Sequence, residues 1–439
     1  MKKRNFWMLL VCCMLLMISL IGCSNESDTI QTPAPNENNR MPIRIPELSY
    51  VLNENGTEYT VDGIGKFQGK KLVIPSQYQG LPVTEIGDIA LAGVSTVETV
   101  KIPSTIRSIG TYAFSGCSNL EEIEFEEGVT TIGEFAFEYC EDLQRVNLPN
   151  SVTSLGAFAF WNCEELFDVK LGNGITEISE GTFKNCERLG NVELGNAVKK
   201  ICKNAFEGCT KMGDVEGEII YAGNWAVGGT ENLIYGVLRK GTVGIACEAF
   251  MDTGLVSLFI PEGFLYINDM AFHSLPSLQT IYLPSTLLEI GEYAFTMCYN
   301  LNVSIELPDS LQRLGEGAFW RCKRILNVKF GTGLSEIPKL AFLGCSNMTS
   351  LVLPEGIIAI GDEAFRECYE ITEISLPKSL ASIGESALTG MNEIADFSYA
   401  GTLAEWELVQ KGTSWFISYS AATLHCADGD IENDELTTD

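Results

Sequence analysis

The apolar positions of this chain recur on a beat of 23 residues, far longer than the period of a helix or a strand. The clearest marker is the pair Ala-Phe, found at Ala113-Phe114, Ala136-Phe137, Ala159-Phe160, Ala205-Phe206, Ala249-Phe250, Ala271-Phe272, Ala294-Phe295, Ala318-Phe319, Ala341-Phe342 and Ala364-Phe365. Thr182-Phe183 fills one gap, and Ala90-Leu91 and Ala387-Leu388 close the ends, giving thirteen units. The interval departs from 23 residues in one step of 22, one of 24 and one of 44, the last between Phe206 and Phe250. Within a unit, Ile123-Glu124-Phe125 alternates apolar and polar residues, as a strand with one buried face does. A Pro or Gly then turns the chain, as at Pro103, Pro149, Pro284, Pro308, Pro354 and Pro377. A second extended piece follows, Val129 to Ile132, and stops at Gly133. Ala136-Phe137-Glu138-Tyr139-Cys140 sets Phe and Cys three apart, which predicts a short helical turn with both side chains on one face. No unit buries these groups alone, so the units must stack and form ladders of Leu, Ile, Phe and Cys. The predicted fold class is an α/β repeat: a solenoid of about thirteen units of about 23 residues, parallel strands joined by short helical turns, with one β insertion.

The breaks in the beat divide the chain. The 44-residue step hides an insertion, placed at residues 212–244, with strand-like runs at Ile219-Ile220-Tyr221, Trp225-Ala226-Val227 and Ile234 to Leu238. It is either a bridge between repeat blocks or a protrusion for binding. The repeats then occupy residues 83–211 and 245–395, with an N-terminal cap at 48–82, a C-terminal cap at 396–429 and an acidic tail at 430–439. Ahead of them, Lys2-Lys3-Arg4 and the apolar region of 16 residues from Phe6 to Ile21 read as a signal segment, residues 1–22, too short to span a membrane. Leu20-Ile21-Gly22-Cys23 resembles a bacterial lipobox, which implies lipidation at Cys23, export and attachment to the outer face of a membrane. The Ser-, Asn-, Glu- and Pro-rich residues 23–47 read as a disordered tether.

The unit as a whole, Leu-x-x-Ile-x-Leu-Pro followed by Ile-Gly-x-x-Ala-Phe-x-x-Cys, resembles the BspA-type leucine-rich repeat. The likeness covers about Val83 to Met391. It extends to the entry Leu81-Pro82-Val83-Thr84-Glu85-Ile86-Gly87 and to the ending Tyr399-Ala400-Gly401-Thr402, Glu405-Trp406 and His425-Cys426-Ala427-Asp428-Gly429. The resemblance implies a cell-surface protein that adheres to extracellular or host proteins without catalysis. A glycan-binding or glycan-degrading surface component is the rival, and a spacer displaying its insertion or cap is a third reading.

The charge narrows the partners. A formal net charge of −29 keeps the chain soluble and turns it away from nucleic acid and anionic lipid, so contact with a membrane is expected through the anchor alone. Of fifteen cysteines, nine stand three residues after the repeat Phe (Cys117, Cys140, Cys163, Cys186, Cys209, Cys298, Cys322, Cys345 and Cys368). A ladder at the repeat period is a packing position, and free Cys packs as a small hydrophobe. Neighbouring rungs, ~4.8 Å apart, are also within disulfide reach. Cys202, Cys247 and Cys426 fall outside the ladder. No C-x-x-C pair, H-E-x-x-H, G-x-S-x-G, P-loop or G-x-G-x-x-G occurs, and His273 and His425 are the only histidines. No catalytic residue, metal or cofactor is therefore expected, although carboxylate pairs such as Glu121-Glu122 leave a glycosidase-like pair open.

The outward positions of the first strand remain. The residue after the inward Ile or Leu runs Lys101, Glu124, Asn147, Lys170, Glu193, Phe259, Tyr282, Glu306, Lys329, Val352, Ser375. Phe259 and Tyr282 are neighbours in that row, with Ser257 and Thr280 two residues earlier on the same face and Glu306 and Lys329 continuing it. They are the candidate binding residues, unless the insertion or the curvature of the coil covers them.

Overall fold

The computed structural model describes residues 48–439 apart from 213–217, 302–303, 393, 419–421, 433–435 and 437–439. The signal segment, Cys23 and the tether lie outside the described residues.

The 23-residue beat becomes the register of a parallel sheet. Arg145 pairs with Asp168, Val146 with Val169 and Asn147 with Lys170, each partner one unit further on. The middle residue of such a strand points inward and its neighbours point out, as in Arg145–Asn147 and Asp168–Lys170. The second extended piece forms its own parallel stack, Ser154–Leu155 upon Thr131–Ile132. Between the two stacks every inward group of a unit is buried, for example Ile123, Val129, Ile132, Ala136, Phe137 and Cys140. The phenyl rings stack nearly parallel, with centroids 5.1 Å apart for Phe137–Phe160 and 4.8 Å for Phe272–Phe295.

The third side of the coil departs from expectation. The Ala-Phe segments are not helical, and Leu403–Leu408 is the α-helix of the described residues. Hydrogen bonding explains the difference. In residues 112–117 alternate N–H groups serve different partners: Ala113, Ser115 and Cys117 donate to carbonyls three residues back, at 3.3, 3.1 and 3.1 Å. Tyr112, Phe114 and Gly116 donate instead to Glu134, Ala136 and Glu138 of the next turn, at 3.0, 2.7 and 2.7 Å. A helix would direct every N–H along itself. Here half of them tie one coil to the next, and the residues that turn the chain, such as Tyr112 (φ 57°) and Tyr139 (φ 54°), are left-handed. The fold is a parallel β-solenoid whose third side is built of turns.

The unit number also differs, with about fifteen turns in place of thirteen. Tyr235–Val237, inside the insertion, is a strand of the first face and pairs with Ser257–Phe259. At the C-terminus, Asp396–Tyr399 and Thr423–Cys426 continue that face. Phe416, from Phe416–Ser418, pairs with Leu388 and adds a further turn within the segment expected to be a cap. Counting Ala-Phe pairs overlooks turns that fill the same space with other residues.

Two devices order the joints. A Cβ at Gly156 would lie 2.4 Å from the carbonyl carbon of Gly133, so the Ile-Gly step allows backbones to approach where a side chain would not fit. At the corners a polar side chain of one turn accepts a backbone N–H of the next: Asn150 from Asn173 and Asn173 from Asn196, both at 3.0 Å, and Asp309 from Thr332 at 2.9 Å. These links satisfy amides that the turn leaves unpaired.

The insertion is a hairpin, Ile219–Ala222 against Trp225–Gly229, and its second strand joins Gly244–Ile245 of the second stack. Trp225 is buried there against Tyr266, ring centroids 6.0 Å apart. The first sheet stops at Asn191–Glu193 and begins again at Tyr235–Val237. The ends of the coil carry antiparallel pairs, Ser49–Leu52 with Tyr59–Gly63 and Thr423–Cys426 with Gly429–Glu432.

Candidate binding face

The outward row of the first face changes character along its length. In its N-terminal part opposite charges one turn apart meet: Lys101 with Glu124 at 3.0 Å and with Glu126 at 3.2 Å, and Lys170 with Glu193 at 2.8 Å. The hydrogen bond from Lys101 to Glu124 raises the lysine above its ordinary range. Such exposed pairs add little stability and leave a solvated, self-neutralised surface.

Beyond the insertion the row turns apolar. The register sets Val237 opposite Phe259, and Ser257 opposite Thr280, which makes Tyr282 the next residue after Phe259. All are in solvent: Tyr235 is 73% exposed, Val237 65%, Phe259 56% and Tyr282 71%. Neither the insertion nor the curvature covers Phe259 and Tyr282. Ser257 and Thr280 stand half-buried beside them on the same face. Glu306 and Lys329 follow in register, 3.8 Å apart and largely exposed, and Val352 is exposed in the next strand.

Tyr235 and Val237 are absent from the row drawn from sequence, because they fell within the insertion. A signal existed. Ile234-Tyr235-Gly236-Val237-Leu238 matches Val256-Ser257-Leu258-Phe259-Ile260 except that Gly236 stands for the inward Leu. A Cβ at Gly236 would lie 2.6 Å from the Leu258 side chain, which fills the vacated space.

Elsewhere the titratable groups serve packing. Each ladder thiol donates to a carbonyl one turn back, for example Cys140 to Phe114 at 3.3 Å and Cys345 to Phe319 at 3.2 Å. Burial pushes Cys117 and Cys209 up to about 12, so they stay protonated at neutral pH. His425 Nδ1 lies 2.8 Å from Asp430 in the last hairpin, which raises its pKa, while His273 is half-buried in a turn of a different unit. Among the described residues no group of three or more His, Cys, Asp or Glu is placed to hold a metal, and no helix is long and apolar enough to cross a membrane.

Coil, register and corner ladders define a leucine-rich-repeat solenoid. The BspA type leucine-rich repeat region matches the chain in six copies, over residues 84–213, 243–346 and 302–407, and the chain belongs to this family. It is also similar to solved structures. A leucine-rich cell surface protein of Faecalibacterium prausnitzii is 25% identical, with 83% of this chain and 96% of that one covered and a TM-score of 0.34. A leucine-rich repeat protein of T. pallidum is 32% identical, covering 38% of this chain and 89% of its own, with a TM-score of 0.33. One from Bacteroides ovatus is 24% identical, covering 88% and 99%, with a TM-score of 0.38. No curated protein matches the chain.

Proposed function

We propose that this chain is an exported surface protein that binds an extracellular protein through the exposed row Tyr235, Val237, Phe259 and Tyr282, without catalysis. The observation that carries the proposal is the exposure of four large apolar side chains, three on adjoining strands and Tyr282 directly after the next one. Exposed apolar groups gathered in one patch mark interaction sites more often than scattered ones. The patch also has the anatomy of a hot spot, with aromatic anchors at its centre and Ser257, Thr280, Glu306 and Lys329 around them. Its strands belong to a stacked sheet, so little conformational freedom is lost on binding.

One observation favours a glycan instead. Tyr235–Val237, Ser257–Phe259 and Thr280–Ile281 hold no charged residue, and bare aromatic faces suit sugar rings. A panel of purified extracellular proteins and a glycan array, probed with residues 46–439, separates the two. In either case F259A with Y282A should weaken the interaction by about 30-fold or more, a hot-spot loss of about 2 kcal/mol. K101A with E124A, in the charged part of the face, should change it little. Equal losses from both pairs would point to a diffuse electrostatic face instead.

The anchor belongs to the same proposal. Lipidation of Cys23 would hold the solenoid at the membrane surface, and C23A should release it into the medium. Retention of C23A in the membrane fraction as firmly as wild type would refute the anchor.

A further inference from the structure

Two cysteines outside the ladder face each other across the base of the insertion. Cys202 stands in the Gly place of its turn, directly after Ile201, and Cys247 lies two residues after Ile245. The amide of Cys247 donates to the carbonyl of Ile201 at 2.9 Å. That bond brings the two backbones side by side, and strands so paired lie ~4.8 Å apart, inside the Cα range of a disulfide. The two thiols are close neighbours, and Cys202 Sγ donates to Glu177 Oε1 at 3.1 Å.

Ladder thiols touch in the same way, as in Cys163–Cys186 and Cys298–Cys322. They differ in surroundings. Those four sulfurs are buried in the core, their S–H groups are spent on carbonyls, and burial raises Cys186 and Cys322 well above the ordinary thiol range. Buried in the core, they are out of a reagent's reach. Cys202 and Cys247 are only half-buried. The Cys247 thiol beside it, burial and the Glu177 carboxylate raise Cys202 above the ordinary thiol range, so what separates this pair from the ladder is access, not acidity.

We propose that Cys202 and Cys247 form a disulfide that clamps the 212–244 insertion to the coil when the protein meets an oxidising disulfide. The thiolate of one cysteine attacks that disulfide, forms a mixed disulfide and expels one thiolate. The thiolate of the other attacks the mixed disulfide at the protein sulfur, forming the Cys202–Cys247 bond and expelling the second. Two protons leave the cysteines and end on the expelled thiolates, and two electrons pass to the oxidant. The consequence reaches the binding face. The first sheet is interrupted before Tyr235–Val237, so the place of Tyr235 and Val237 beside Phe259 depends on how firmly the loop between the two cysteines is held.

The test uses the full chain, purified reduced and then equilibrated with oxidised glutathione, denatured, alkylated and mapped by mass spectrometry. The expected result is a peptide pair joined through Cys202 and Cys247, full alkylation of the ladder thiols, and slower hydrogen exchange across residues 218–237. C202S should stop at the intermediate, with glutathione on Cys247. C247A gives the same test at Cys202 if C202S does not fold. Full alkylation of both cysteines, or glutathione on each without a cross-link, would overturn the proposal. The bond rests on export only for where the oxidant is met. A bond that glutathione forms readily, but that is missing from protein isolated from cells, would refute the exported location and not the pair.

Discussion

Asn268 takes the Gly place after Ile267, yet its side chain is buried and serves a strand in another part of the sequence. Its Oδ1 accepts the N–H of Ile201 at 2.9 Å, and its Nδ2 donates to the carbonyl of Lys199 at 3.0 Å. The amide thus stands in for a strand partner beside Lys200–Ile201, where the insertion interrupts the stack. N268L keeps the volume but leaves both backbone groups unpaired, and each buried orphan costs ~1–3 kcal/mol. The urea midpoint should fall accordingly; an unchanged midpoint would mean that water or a shift of the loop replaces the amide. Phe137 represents the opposite kind of residue, one of many equals. F137A should cost ~3–5 kcal/mol, with hydrogen exchange rising first in the units on either side, because each turn of a solenoid rests on its neighbours. Uniform exchange along the whole coil would contradict that. The role of Phe137 was legible because it repeats; that of Asn268 was not, because its partners lie across the insertion and occur once.

At the scale of the element, three-residue spacing misleads. Phe and Cys three apart suit a helical turn, and they suit equally a turn closed by bonds to carbonyls three residues back with left-handed residues between. Only the competition for N–H groups between neighbouring coils decides, and that is a property of the stack. The strands were legible because alternation and register both follow from the repeat. In the helix Leu403–Leu408 cap chemistry governs. The Glu405 carboxylate accepts the Thr402 N–H at 2.9 Å and pairs with Lys378 at 2.9 Å, which holds its pKa at about 2 instead of the ordinary 4.5. Glu126, Glu127 and Asp309 are lowered for a related reason, chiefly backbone N–H bonds at the corners. A carboxylate with a depressed folded pKa stabilises above its unfolded value and loses that contribution as pH falls through the folded one. The C-terminal turn should therefore loosen between pH 4.5 and about 2. Amide exchange at residues 402–411 should show it, with the acid step much reduced in E405Q. An identical step in E405Q would assign the loosening to other groups.

For the whole molecule, the 23-residue beat alone specified a stacked coil and its core. What it hid were the turns that break the beat: Tyr235–Val237, with Gly236 in the inward place, and the C-terminal strands with their inserted helix. That omission matters for the candidate site, since half of the apolar row lies in the break. Phe259 and Tyr282 were legible as neighbours, but their exposure depended on how the coil and insertion pack. The same molecular view bears on catalysis. The two histidines belong to separate units, one in a mid-coil turn and one in the last hairpin. H273A with H425A should leave binding unchanged while the fold persists by circular dichroism, and a loss would reassign the chain to an enzymatic or metal-dependent class. The most direct measurement of the central claim is photo-cross-linking on intact cells, with benzoylphenylalanine placed at Tyr282 in one protein and at Lys101 in another. The account predicts a saturable cross-link to one extracellular partner from position 282, lost on adding F259A, and none from position 101. A cross-link from position 101 with none from position 282 would place the binding face elsewhere and contradict it.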